Sequence, residues 1–106
     1  MKKGDLVLVP FPFTDLKGKK TRPALVLVPS DDYVCVCFIT TNLNKTSTSD
    51  ILVNPSKDNR LKKTSLIKLD KITTIDKSLI IGRLGSLSPH ELSKVNEGLT
   101  ARFQLK

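Results

Sequence analysis

The sequence predicts a mostly β, α+β domain: a small antiparallel sheet, curled like a barrel, with one helix packed on it at the C-terminal end. Two observations carry that expectation. Short apolar runs alternate with breaker-rich turns from residue 6 to residue 84, and only the stretch after residue 88 repeats at helical spacing. A length of 106 residues fits a single domain spanning 1–106.

Leu6 to Val9 is the first apolar run, and Pro10 bounds it. Pro10 and Pro12 lack ladder donors, so the segment through Asp15 leaves the sheet edge and opens a polar loop. Within it, Phe11 and Phe13 either fold back as core or offer a stacking surface. Ala24 to Val28 is the second strand, closed by the Pro29-Ser30-Asp31-Asp32 turn. Tyr33 to Thr40 is apolar on both faces, which marks a central strand. A polar loop, 41–49, leads to a short strand over Asp50 to Val53. A charged loop, 54–63, leads to another strand over Thr64 to Leu69, which Asp70 to Thr74 continue or turn. Asp76 to Leu79 reads as one helical turn, and Ile80 to Leu84 as the last strand.

The helix opens at Ser88-Pro89-His90-Glu91. Ser88 can accept from free N–H groups, Pro89 suits the first helical position, and Glu91 completes a capping box. Leu92, Val95, Leu99 and Phe103 then form one apolar stripe.

Lys and Arg number 18 against 10 Asp and Glu, a net charge of +8. So large an excess favours an anionic partner: nucleic acid, an acidic protein or a membrane surface. No apolar run approaches the ~20 residues of a spanning helix, and Leu6 to Val9 is too short for a signal-peptide core, so a cytoplasmic protein without a membrane role is expected. Cys35 and Cys37 share a strand face, where a bridge is geometrically poor, and they lack further ligands for a metal; buried free thiols are expected. One histidine excludes a His–His acid/base pair within the chain, and His90 at a helix start reads as surface or packing. Walker and dinucleotide glycine motifs are missing, as is a carboxylate cluster for magnesium, so no cofactor or metal is expected.

What remains is basic. The loop before the second strand carries Lys17, Lys19 and Lys20, and Arg22 stands at its exit before Pro23. If the second and third strands are antiparallel neighbours, Arg22 and Thr40 meet at one rim. Lys68 and Asp70, two apart in an extended segment, should share a face. Guanidinium, hydroxyl and ammonium groups together suit a phosphodiester and the charge that grows on it under attack. The plainer alternative is a structural Arg22–Asp70 salt bridge with Thr40 merely ending its strand.

Taken in order, Gly4-Asp5, Thr21-Arg22-Pro23-Ala24-Leu25-Val26, Phe38-Ile39-Thr40, Ser65 to Ile72, Thr74-Ile75-Asp76-Lys77 and Ile81-Gly82-Arg83-Leu84-Gly85 resemble the MazF/PemK family of toxins from bacterial toxin–antitoxin systems. The resemblance covers nearly the whole chain. It implies an SH3-like barrel with a C-terminal helix, a homodimer and a cognate antitoxin. It also implies metal-independent, sequence-specific cleavage of single-stranded RNA, with the 2′-OH attacking the neighbouring phosphate to leave a 2′,3′-cyclic phosphate. The family's arginine falls on Arg22, its strand-end threonine on Thr40 and an acidic residue on Asp70. Lys17, Lys19, Lys20, Thr41, Lys68 and Lys71 are the residues expected to contact RNA. Some members carry serine or histidine where this chain has Leu16, and Asp15 is a substitute within the same loop. Two other readings stand beside this one. A non-catalytic nucleic-acid-binding barrel would bind RNA without cutting it. A gyrase poison resembling the CcdB proteins is disfavoured, because those depend on a C-terminal tryptophan and this chain has none.

Overall fold

Alternation of apolar residues builds a sheet with two buried faces. In the computed structural model, which describes residues 1–11, 20–44 and 46–105 and leaves the Phe11 side chain aside, six strands form one antiparallel sheet. They are β1 (Asp5–Phe11), β2 (Lys20–Pro29), β3 (Tyr33–Thr40), β4 (Asp50–Val53), β5 (Ser65–Asp76) and β6 (Gly82–Ser86). Their order across the sheet is β4-β5-β3-β2-β1-β6, a curled half-barrel with β4 and β6 as its edges. The α-helix α1 (Pro89–Arg102) follows.

Successive strand residues point to opposite faces, so β1, β2, β3 and β5 each feed both cores. Leu25, Cys37, Ile39, Ile67 and Leu69 join Leu6 on one face, where Leu61 of the 54–63 loop and Val95 of α1 add to the cluster. Val7, Val9, Ala24, Val26, Val34 and Val36 fill the other, against Leu79 and Ile80. The central placement expected for Tyr33 to Thr40 follows from β3 supplying both. Cys37 is a buried free thiol pushed up to about 12 by burial and by neighbouring Cys35, which is also free.

Several boundaries differ from the sequence expectation. Pro10 and Phe11 still belong to β1, paired with Thr21 and Lys20, whereas β6 pairs with β1 only between Asp5 and Leu8. Pro10 therefore lies past the end of β6, where its missing N–H breaks no ladder. Of the two courses open to residues 70–74 the chain takes continuation, and Ser65–Asp76 is one strand of 12 residues. After it, Asp76 caps the short helical turn at Lys77–Leu79 by accepting from the Ser78 N–H at 2.9 Å, which holds its carboxyl below the usual range. Ile80 and Ile81 are a connection, and β6 begins only at Gly82.

The capping box forms as expected. Ser88 Oγ accepts from Glu91 N at 3.1 Å, and Glu91 Oε1 accepts from Ser88 N at 2.8 Å. Of the apolar stripe, Val95 is fully buried and Leu92 and Leu99 pack on the core, but Phe103 is 55% exposed. Phe103 is the C-terminal cap, its N–H still donating to Leu99 O, and so lies beyond the part of the stripe that packs on the sheet. Gly98 brings α1 onto the sheet: a Cβ there would come within 2.5 Å of Leu69 Cδ1. No helix among the described residues is long and apolar enough to cross a membrane.

Candidate functional site

The site sits where three strands end or bend together. β2 and β3 pair with Ala24 opposite Phe38, and that register runs on toward Arg22 and Thr40 at the same rim. β3 and β5 pair with Phe38 opposite Lys68 and Cys37 opposite Ile72. Three residues of β5, Leu69 to Lys71, therefore stand against a single step of β3, an irregularity that reverses the alternation of the strand. As a result Lys68 and Lys71, three apart, both line one cleft, together with Arg22 and Thr40. The cleft measures about 260 Å³ and is completed by Phe38, Ile39 and Asn42.

Asp70 does not line it. The expectation that Lys68 and Asp70 share a face assumed unbroken alternation, and the bulge removes it. Asp70 Oδ1 is buried and has no hydrogen-bond partner among the described residues. Lys20 and Thr41 line an adjoining cleft that shares Arg22 and Ile39 with the first. Lys17 and Lys19, like Asp15, Leu16 and Phe13, lie outside the described residues. His90 is exposed on the first turn of α1.

One cation of the cleft is held by an ion pair. Lys68 is 7% exposed, and its Nζ donates to Asp50 Oδ2 at 2.8 Å across the β4–β5 pair. The same carboxylate accepts from Ser47 N at 2.8 Å and from Ser47 Oγ at 2.9 Å. Burial pushes the Asp50 carboxyl up, but the bonds from Lys68 and Ser47 outweigh it and hold it below the usual carboxylate range. Asp50 thus fixes both a cleft lysine and the loop that follows Thr40. Sequence reasoning saw Asp50 only as a strand start, because nothing local marks a partner 18 residues away. Thr40 Oγ1 accepts from Asn42 N at 3.1 Å, which orients the hydroxyl and leaves its proton to donate into the cleft. Among the described residues no three of His, Cys, Asp and Glu converge as metal ligands.

The form is a small curled β-sheet with a cleft at one rim lined by Arg22, Thr40, Lys68 and Lys71. The match of the family model for PemK-like, MazF-like toxins of type II toxin–antitoxin systems across residues 2–103 makes it more specific: the chain belongs to that family. Solved structures agree in fold. The Mycobacterium tuberculosis toxin MazF-mt6 superposes with a TM-score of 0.77 at 20% identity, over 96% of this chain and 98% of that one. An endoribonuclease in complex with its cognate antitoxin, from a mycobacterial species, gives 0.76 at 22% identity, over 100% and 97%. MazF from Deinococcus radiodurans gives 0.74 at 21%, over 98% and 96%. A comparison with curated protein sequences finds no match.

Proposed function

We propose that this protein is an endoribonuclease toxin that cuts single-stranded RNA, messenger RNA included, without metal and with sequence preference. The observation that carries the reading is the convergence of Arg22, Thr40, Lys68 and Lys71 on one cleft. In the proposed reaction the ribose 2′-oxygen forms a bond to the adjacent phosphorus and the bond to the 5′-oxygen breaks, leaving a 2′,3′-cyclic phosphate and a 5′-oxygen that takes a proton from water to become a 5′-OH. Negative charge grows on the phosphoryl oxygens during attack. The Arg22 guanidinium is a planar, permanently charged donor suited to that charge. Thr40 contributes a neutral hydrogen bond, and Lys71, exposed at the cleft, a second cation.

A guanidinium carries no free lone pair to take a proton, so the 2′-OH proton needs another acceptor. Asp70 lies in the bulge between Lys68 and Lys71, and the reading assigns it that proton through an intervening water. Membership of the family supports a cognate antitoxin, and the mycobacterial complex is one relative captured with its own. Homodimerisation and a cytoplasmic location are proposed on the family alone. A net charge of +8 suits both an RNA and an acidic antitoxin segment.

The test is incubation with a long single-stranded RNA in excess EDTA, with mapping of the new ends. Discrete cuts ending in cyclic phosphate, slowed about 10²-fold or more by Arg22→Ala with the fold intact, are expected. RNA that is bound but never cut would instead favour the non-catalytic barrel.

A further inference from the structure

A further cleft opens where the 54–63 loop meets the sheet, with Thr41 in its lining. It measures about 460 Å³, has Leu8, Pro23 and Leu84 in its lining, and is rimmed by Arg60, Lys62 and Lys63. None of the described residues lining it is acidic. It joins the catalytic cleft without a break: the intermediate cleft shares Arg22 and Ile39 with one, and Thr21, Pro23 and Thr41 with the other.

The loop that presents these cations is built to hold its shape. Asn59 is fully buried, and its Oδ1 accepts from Ser56 N and Leu61 N, both at 2.9 Å, while its Nδ2 donates to Asn54 O at 2.9 Å. Asp58 O accepts from Ser86 N at 3.0 Å, pinning the loop to β6, and Gly85 lets the loop backbone approach so closely that a Cβ would collide with Asp58 O. Ser65 Oγ donates to Lys63 O at 2.9 Å at the other end. Between these ties Arg60 takes φ +56°, a conformation L residues rarely adopt. Three exposed cations within four residues are therefore displayed over an apolar floor rather than left on a loose loop.

We infer that this cleft is a flanking subsite for single-stranded RNA. Arg60, Lys62 and Lys63 hold the backbone phosphates on one side of the scissile linkage, and the Leu8–Pro23–Leu84 floor receives a base face. The inference rests on the endoribonuclease reading and extends it, because it places a stretch of RNA that does not react. Phosphate contacts through cations and apolar or stacked base contacts are the usual pairing in single-strand grooves.

The experiment uses a fluorescent, mixed-sequence 2′-O-methyl RNA 12-mer, which cannot be cut by 2′-oxygen attack. Binding is titrated at 50 to 200 mM salt against the native protein and the Arg60→Gln/Lys62→Gln/Lys63→Gln variant. A second variant, Lys3→Gln/Lys77→Gln/Lys94→Gln, removes equal charge elsewhere, and thermal melting confirms that both fold. Losing three phosphate contacts should flatten the salt slope by about 2, so that native protein loses roughly 20-fold more affinity than the first variant over that range. The second variant should keep the native slope. Equal flattening in both variants, or none in the first, overturns the subsite. So does a poly-glutamate peptide whose affinity falls in the first variant while RNA affinity does not, which would assign the cleft to an acidic protein segment. Failure of native protein to bind RNA at all removes the endoribonuclease reading itself, a separable result.

Discussion

Replacing Asp50 by Asn keeps the shape of the side chain and removes its charge. In the native protein that carboxylate, 4% exposed, faces a Lys68 side chain 9% exposed, with Nζ 2.8 Å away. Breaking a buried pair by removing one partner costs about 3–5 kcal/mol when the remaining charge is stranded. Here Lys68 also lines the cleft, so its ammonium can turn toward water, and the lower figure of about 2–3 kcal/mol applies. For a domain of this size that lowers the melting temperature by about 9–14 °C. The effect has a pH signature. A carboxyl whose pKa is depressed on folding contributes stability above its unfolded value of about 3.9, and that contribution fades as pH falls through the lower folded value. Native and Asp50→Asn proteins should thus differ at pH 7 and converge in that acid range. Chemical denaturation at both pH values, completed as a double-mutant cycle with Lys68→Met, measures the coupling. A loss under about 0.5 kcal/mol at pH 7, or a difference that persists undiminished in acid, would refute the claim that the ion pair anchors the cleft.

Three further outcomes are expected. Thr40→Ala should slow RNA cleavage by about 10-fold, less than Arg22→Ala, since one hydrogen bond is lost, and Thr40→Ser should restore most of the rate; a larger loss than Arg22→Ala reverses the ranking of roles. Asp70→Asn should slow single-turnover cleavage by about 10²-fold or more if it accepts the 2′-OH proton, and a near-native rate would take it out of the reaction. Gly85→Ala drives a Cβ into Asp58 O and to 2.8 Å from Asn59 O, backbone atoms that cannot rotate away, and should cost about 1–3 kcal/mol in thermal unfolding; an unchanged melting curve would show that the 54–63 loop is not pinned there.

Some of this protein was legible residue by residue. Apolar runs between breakers marked each strand within a few positions, because alternation and turn chemistry are local. The capping box at Ser88 and Glu91 was readable for the same reason. Arg22 and Thr40 could be brought to one rim by assuming a single hairpin. Other features depended on how distant strands register. The bulge at Leu69 to Lys71, which puts Lys71 into the cleft and takes Asp70 out, exists only as a mismatch between β3 and β5. The Asp50–Lys68 pair is a property of β4 lying on β5, and the display of Arg60 depends on a buried Asn59 and on Ser86 of β6 donating to the loop backbone. By itself the sequence determined the element types, the basic character and the arginine at the strand mouth, since each follows from neighbours along the chain. Tertiary structure alone decided which cations share a cleft, because facing in a sheet is set by pairing across strands, and a three-residue irregularity is enough to reverse it.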